Sequence, residues 1–180
     1  PRHFGAAPWC LYRGGPLLNS LGNAAVERAA PRLTDRNHRV PAYGLLFGMP
    51  GVPAVYYGSE WGMEGRKSDG DAALRPAVEK PVWNELTDFI AALAAARRRS
   101  PALCHGAYRT VLLTNRQYIF ERAAEGERVL VAVNADSAPY TAHFDAGCGR
   151  AVDLITGALH DFGGGSQLPP YSAAYWKMEK

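Results

Sequence analysis

The residues best equipped for chemistry in this 180-residue chain gather in two segments, each at the end of an apolar run. The first is Leu21-Gly22-Asn23-Ala24-Ala25-Val26-Glu27-Arg28, preceded by Leu17 and Leu18. The second is Pro50-Gly51-Val52-Pro53-Ala54-Val55-Tyr56-Tyr57-Gly58-Ser59-Glu60, followed by Trp61. Asn23, Arg28, Tyr57, Glu60 and Trp61 supply an amide, a guanidinium, a phenol, a carboxylate and an indole, groups that bind and orient polar ligands. Ala24 and Ala25 supply only methyl groups, which neither accept nor donate a hydrogen bond. Taken alone, Asn23-Ala24-Ala25 reads as the start of a helix with Asn23 at its N-cap.

Other constellations fall short. Ser100, Cys104 and His105 are close in sequence, but no elbow motif or paired base supports a nucleophile. Asp69-Gly70-Asp71 lacks the further oxygen ligands and terminal Glu of a calcium loop and reads as a solvated turn. The Gly-rich stretches lack the Lys of a phosphate loop. His3, His38, His105, His143 and His160 show no metal-ligand spacing. No metal or cofactor is expected. Cys10, Cys104 and Cys148 form no CxxC pair and read as free thiols, which points toward a reducing, cytoplasmic compartment. With neither a Met start nor a signal segment, the chain reads as beginning in mid-protein.

The balance of 20 basic and 17 acidic side chains leaves a mild charge of +3. Arg97-Arg98-Arg99 is the one basic run, and no interleaved aromatic stripe accompanies it, so it reads as a helix C-terminus rather than a nucleic-acid surface. No apolar run approaches the ~20 residues of a membrane helix, so no membrane partner is expected. A 47 % hydrophobic and 21 % charged composition is that of a globular protein with one or two domains.

The elements that must position these groups follow from periodicity. Leu17, Leu18 and Leu21 predict a buried parallel strand ending at Gly22-Asn23. Residues 26–33 predict a short helix. Residues 40–49 are apolar almost all round, so a helix there is buried on several sides, with Pro41 in its first turn and Pro50-Gly51 as its stop. Residues 52–57 predict a second strand, and 58–80 a long charged loop of the kind that carries function. Val82, Leu86, Phe89, Ile90 and Leu93 recur at helical spacing. After His105-Gly106 the texture becomes β, with runs at 108–114, 118–122, 128–134, 140–144, 150–155 and 171–177. Val129, Val131 and Val133 alternate onto one face, and the turn spacing predicts an antiparallel Greek-key sandwich. The boundary falls near Cys104–Gly106, giving units 1–104 and 105–180, with an irregular Gly- and Pro-rich lead-in over 1–15.

These two segments resemble the last two strand ends of the α-amylase-type barrel, glycoside hydrolase family 13. The resemblance extends through Gly58-Ser59-Glu60-Trp61-Gly62-Met63-Glu64-Gly65-Arg66-Lys67, Leu74-Arg75-Pro76-Ala77, Ser100-Pro101-Ala102-Leu103, Val129-Leu130-Val131-Ala132-Val133-Asn134 and Pro170-Tyr171-Ser172-Ala173. It implies an α/β plus all-β fold: a partial (β/α)₈ barrel of two βα units, then the β-sandwich. In that family the first segment reads Asn-His-Asp, and its Asp is one of three catalytic carboxylates. Ala24 and Ala25 occupy the His and Asp positions here. The nucleophile and acid/base come from the fourth and fifth strand ends, which this chain does not contain.

The implied parent activity is hydrolysis of α-1,4-glucosidic bonds in starch or maltodextrin, with this chain alone inactive. The alternatives are a related transglycosylase or isomerase, and a non-catalytic glucan-binding or structural module. Asn23, Arg28, Tyr57, Glu60 and Trp61 are the candidate substrate-binding residues. Arg28 either orients loops near the sugar or lies solvated on a helix face. Tyr56 and Tyr57 read as core before sugar platforms. Glu60 is expected to close the strand end by a hydrogen bond. Trp61 offers a flat face for a pyranose ring or packs under its own loop. Expected partners are an α-glucan bound at most weakly, and either the missing barrel half or a second copy, because two parallel strands leave edges and apolar surface uncovered.

Overall fold

Strand β1 (Leu18–Ser20) and strand β2 (Val52–Ala54) lie parallel, Leu18 opposite Val52, in a computed structural model that describes residues 16–179. The expected lead-in over residues 1–15, with His3 and Cys10, lies outside the described residues. Among the described residues β1 and β2 pair only with each other. Leu18 and Val52 accordingly stand 74 % and 51 % exposed.

Between the two strands run α1 (Ala29–Arg32) and α2 (Arg39–Gly48). The start of α1 corrects the expected helix at Asn23. Residues 23–26 form a turn instead, because the Asn23 side chain turns back onto its own backbone. Beyond β2, the expected loop over 58–80 holds two 3₁₀ turns, Ser59–Trp61 and Lys67–Asp69, and a short α3 (Asp71–Leu74). Helix α4 (Glu85–Arg98) opens on a capping box: Asn84 Oδ1 accepts from the Thr87 amide while Thr87 Oγ1 accepts from the Asn84 amide. Val82 therefore falls outside the helix, 59 % exposed, and is not part of its apolar face. Ser100 caps α5 (Pro101–His105), with Pro101 in the first turn, where its missing N–H is no loss.

The C-terminal half contributes β3 (Ala107–Leu113), β4 (Gln117–Ala124), β5 (Glu127–Asn134), β6 (Tyr140–Ala142), β7 (Arg150–Asp153), β8 (Leu159–Asp161), β9 (Ser166–Leu168) and β10 (Ser172–Met178). Six of them form a sheet in the order β3-β4-β5-β10-β7-β8, while β6 pairs with β9. The expected runs all appear. The short β8 and β9 carry too little periodicity to have been read.

Alternation on the central strands divides the core. Val129, Val131, Val133, Phe120 and Tyr175 point to one face, where they meet Tyr43, Leu46 and Phe47 of α2, Ile90 and Leu93 of α4, and Leu103 of α5. Leu130, Ala132, Ile119 and Trp176 point to the other, against Ala142 and Leu168 of the small sheet. The three valines share a face as their spacing requires, but the strand is covered on both sides. The first of these cores runs across the junction near residue 105.

Helix α2 approaches the sheet closely. A Cβ on Gly48 would stand 2.8 Å from the Val131 side chain, and one on Gly44 would collide with Ala173. Tyr175 Oη donates to the Gly44 carbonyl at 2.6 Å across the same contact. At the end of α2 two buried guanidiniums take over. Arg97 donates to Phe47 O at 2.6 Å and Met49 O at 3.1 Å, and also to Gly51 O. Arg122 donates to Gly48 O at 2.7 Å and to Gly106 O at 3.0 Å. The basic run thus does complement a helix C-terminus, but through Arg97 and on a neighbouring helix. Burial, followed by the nearby Arg97 charge, pulls the Arg122 guanidinium down to about 10, still charged at neutral pH.

Arg122→Met should leave buried carbonyls without donors and lower stability by roughly 3 kcal/mol, read from the urea midpoint, whereas Arg99→Met at an exposed position should change it by less than about 0.5 kcal/mol. Equal midpoints for the two variants would show that Arg122 holds nothing together.

A second outcome concerns pH. Burial raises the Glu121 carboxyl, but hydrogen bonds from Arg109 and Arg128 outweigh it and hold the group below the usual carboxylate range. Glu127 is lowered in the same way, burial being outweighed by Lys177 and Ser100. A lowered folded-state value means stability that is complete above the unfolded carboxyl value and lost as pH falls through the folded one. Glu121→Gln should therefore flatten the loss of stability between about pH 5 and pH 3, followed by urea denaturation across that range.

Candidate functional site

The two segments singled out by residue type meet at the C-terminal ends of β1 and β2. Asn23 follows β1. Its Oδ1 accepts from the amides of Ala25 at 2.8 Å and Val26 at 3.2 Å, which closes the turn carrying Ala24 and Ala25. Both oxygen lone pairs are thereby engaged, so Asn23 shapes the turn and has only its amide nitrogen left for a ligand. The Ala24 carbonyl accepts from Arg75 Nε at 3.1 Å, which ties this turn to the loop after β2.

Arg28 is fully buried at 0 % exposure, which corrects the reading of a solvated helix-face arginine. Nη1 donates to Tyr57 O at 2.6 Å and Nη2 to Leu74 O at 3.0 Å. Its guanidinium also lies 4.8 Å and 4.9 Å from the ring centroids of Tyr56 and Tyr57. Glycine makes room for it: a Cβ on Gly65 would come within 3.1 Å of its Cδ. Arg28 acts by orienting the two loops and presents no group to solvent.

Tyr57 is 41 % exposed, so it is not a core residue as its apolar run suggested. Strand β2 ends at Ala54, and Tyr56 and Tyr57 lie beyond it with rings 4.7 Å apart in an edge arrangement. Tyr57 Oη donates to Pro76 O at 2.9 Å, which fixes the ring against the loop. The Ser59–Trp61 turn is bounded by Gly58 and Gly62 at φ 79° and 75°, backbone that glycine enters without strain. Tyr43 Oη donates to Ser59 O at 3.1 Å; burial, then the Glu60 charge, pushes the phenol up to about 12, so it stays a donor.

Glu60 does close the strand end, but through its backbone: Glu60 O accepts from Thr87 Oγ1 at 3.0 Å. Its side-chain Oε2 is buried without a hydrogen-bond partner among the described residues, as is Ser59 Oγ. Glu60 lines an apolar cleft with Val55, Tyr57, Thr87, Ile90, Ala91 and Ala94, between the strand end and α4. A second cleft, formed by Asn19, Ser20, Leu21, Ala42, Leu45, Leu46 and Met49, flanks β1. Trp61 is half-buried in its turn, and its carbonyl accepts from Asn84 Nδ2 at 3.0 Å. Asn23, Arg28, Tyr57, Glu60 and Trp61 thus gather around one pair of strand ends, with Arg28 and Asn23 as organisers and Tyr57, Glu60 and Trp61 as its surfaces.

Sequence reasoning missed Arg75, Tyr43 and Asn84, which fasten the site through backbone carbonyls. Only Asn84 carried a signal, as the residue before an apolar helix with Thr87 three positions on. Among the described residues, no group of three or more His, Cys, Asp or Glu side chains is disposed to hold a metal ion.

No family model matches the chain. Curated proteins do. It is 31 % identical over 148 residues, 81 % of its length, to a cyclomaltodextrin glucanotransferase of Niallia circulans, and this spans 19 % of that protein. Over 64 % of its length it is 32 % identical to the α-amylase MalA of Haloarcula japonica, spanning 17 % of it. The chain is homologous to the α-amylase-type glycoside hydrolases. In fold it matches an Anoxybacillus α-amylase with a TM-score of 0.78 at 24 % identity, over 90 % of this chain and 38 % of that one. The chain spans about a fifth of the length of the α-amylase-type relatives named first.

Arg28→Met should release the loop after β2 by removing two donors from buried or half-buried carbonyls, a local loss of about 2–4 kcal/mol. Amide exchange should accelerate over residues 57–75 and stay unchanged over 127–134. Unchanged protection at 57–75 would show that the guanidinium does not hold this loop.

Proposed function

We propose that the chain corresponds to the last two βα units of an α-amylase-type barrel, within residues 1–104, and the sandwich domain that follows, within 105–180. The whole protein's activity in this reading is hydrolysis of α-1,4-glucosidic bonds in starch or maltodextrin. The observation that carries it is the pairing of the Asn23 turn with the Ser59–Trp61 turn at the ends of adjacent parallel strands, stitched together by Arg28 and Arg75. The apolar clefts on either side of β1 and β2 support a further expectation, that additional barrel elements or a second copy cover these strands.

The chain by itself is inactive in this reading. A retaining glycosidase needs two carboxyls about 5 Å apart, a nucleophile and an acid/base. Glu60 is the one carboxylate among the residues lining the strand-end cleft. The methyl side chains of Ala24 and Ala25 carry no titratable proton and make no hydrogen bond to a sugar hydroxyl. Transglycosylation is the second reading, favoured by the similarity to proteins named cyclomaltodextrin glucanotransferases.

Purified chain should release no reducing sugar from soluble starch above a buffer blank; release above it would overturn the assignment of inactivity. In a protein supplying the rest of the barrel, the Ala24→His, Ala25→Asp double variant should raise turnover by ~10²–10³ for each restored group. Equal rates for the two versions would show that these alanines do not mark the damaged position. Glucose transfer to a maltodextrin acceptor, in place of release to water, would favour the second reading.

A further inference from the structure

The most exposed tryptophan among the described residues lies outside every group considered so far. Trp83 is 69 % exposed and sits beside Val82, also exposed. Full exposure of an indole is uncommon, because burying its large apolar surface is favourable. Its edge is nonetheless fixed: Nε1 donates to Asp88 Oδ1 at 2.7 Å. In open water the N–H needs no protein acceptor, so what this bond adds is orientation.

The bond is anchored on both sides. Asp88 lies in the first turns of α4, held by the Asn84–Thr87 capping box. Asn84, the next residue after Trp83, donates to the Trp61 carbonyl at 3.0 Å, and Thr87 donates to Glu60 O. Trp83 is therefore held at the rim of the loop that carries Glu60 and Trp61. One edge of its ring is tied down, and a broad apolar surface is left to solvent.

We propose that Trp83, oriented by Asp88, is a stacking platform for an α-glucan at the rim of this strand-end loop. The proposal rests on the α-glucan reading above and adds a binding residue to it. A pyranose ring offers a face of C–H groups that lies flat on an indole, and its equatorial hydroxyls point outward from the ring. The second oxygen of Asp88 is an acceptor for such a hydroxyl beside the platform. The surroundings suit a sugar better than a protein. Glu79, Lys80, Glu85 and Asp88 are all exposed around Trp83, and one indole with a neighbouring valine is far smaller than the ~1,000 Å² a stable protein interface requires.

The test uses the chain labelled with ¹⁵N-tryptophan, whose four indole N–H signals report on Trp9, Trp61, Trp83 and Trp176. Titration with maltoheptaose should shift the signal that disappears in Trp83→Ala, with a Kd of the order of millimolar. Trp83→Ala should weaken binding about tenfold, and Leu159→Ala, at an exposed position on β8, should leave it within about twofold. Asp88→Ala, which frees the ring and removes the acceptor, should weaken binding most, while Asp88→Asn, whose amide oxygen still accepts from Nε1 but whose amide nitrogen cannot accept from a hydroxyl, should weaken it less. Trp83→Phe keeps an aromatic face and should fall between wild type and Trp83→Ala, which separates stacking from any effect on folding. Maltoheptaose binding that Trp83→Ala leaves intact would overturn the platform while leaving the α-glucan reading in place. Shifts of the Trp83 signal with cellohexaose but not maltoheptaose would overturn both. No binding of maltoheptaose by wild type would overturn the platform, as would a Trp83 signal that responds only to a protein partner.

Discussion

The carbonyls at the C-terminal end of α2 are the constraint on which the molecule turns. A helix ends with carbonyls that have no partner of their own, and this helix ends inside the protein rather than at its surface. Arg97 from α4 and Arg122 from β4 reach the same few residues, Phe47, Gly48, Met49 and Gly51, from two sides. Neither arginine needs a carboxylate there, because the partial negative charge of the helix end and the array of carbonyl lone pairs serve as counter-charge. One guanidinium comes from the α/β half and the other from the β half, so the end of α2 is where the two halves are joined.

Close packing follows from that junction. Gly44 and Gly48 let α2 approach Ala173 and Val131, and Tyr175 bonds the Gly44 carbonyl across the contact. The central strands of the six-stranded sheet are then covered on both faces, by helices on one and by the small β6–β9 sheet on the other. Burial of this kind explains why β5 is apolar at successive positions rather than alternating polar and apolar. It also places β1 and β2 on the outside of this joined unit, where Leu18 and Val52 remain in solvent.

The strand-end site uses the same device at smaller scale. Arg28 and Arg75 bond backbone carbonyls of Tyr57, Leu74 and Ala24, so loops distant in sequence are held by donors that do not depend on the identity of the residues they grip. A turn gripped by its backbone tolerates a change of side chain. Ala24 and Ala25 sit in a well-formed turn for this reason, although they cannot do what a His-Asp pair does. The fold of this turn and the side chains it presents are therefore separable.

The sequence by itself determined the strand, helix and turn periodicity, the alternation of Val129, Val131 and Val133, and the family resemblance with its two alanines, because all of these are local patterns or residue identities. It located Asn23, Arg28, Tyr57, Glu60 and Trp61 near one another through the expectation that parallel strands place their C-terminal ends side by side. Tertiary structure alone decided what each of them does. Arg28 is buried and Tyr57 exposed, the reverse of what a charged and an apolar-run residue suggest, because burial depends on which surfaces meet. Asn23 caps a turn instead of a helix because its side chain engages the amides of its own segment. The grips of Arg97, Arg122 and Arg75 leave no pattern in sequence, since their acceptors are main-chain carbonyls that every residue possesses. Only the folded path of the chain says which carbonyls end up without a partner and within an arginine's reach.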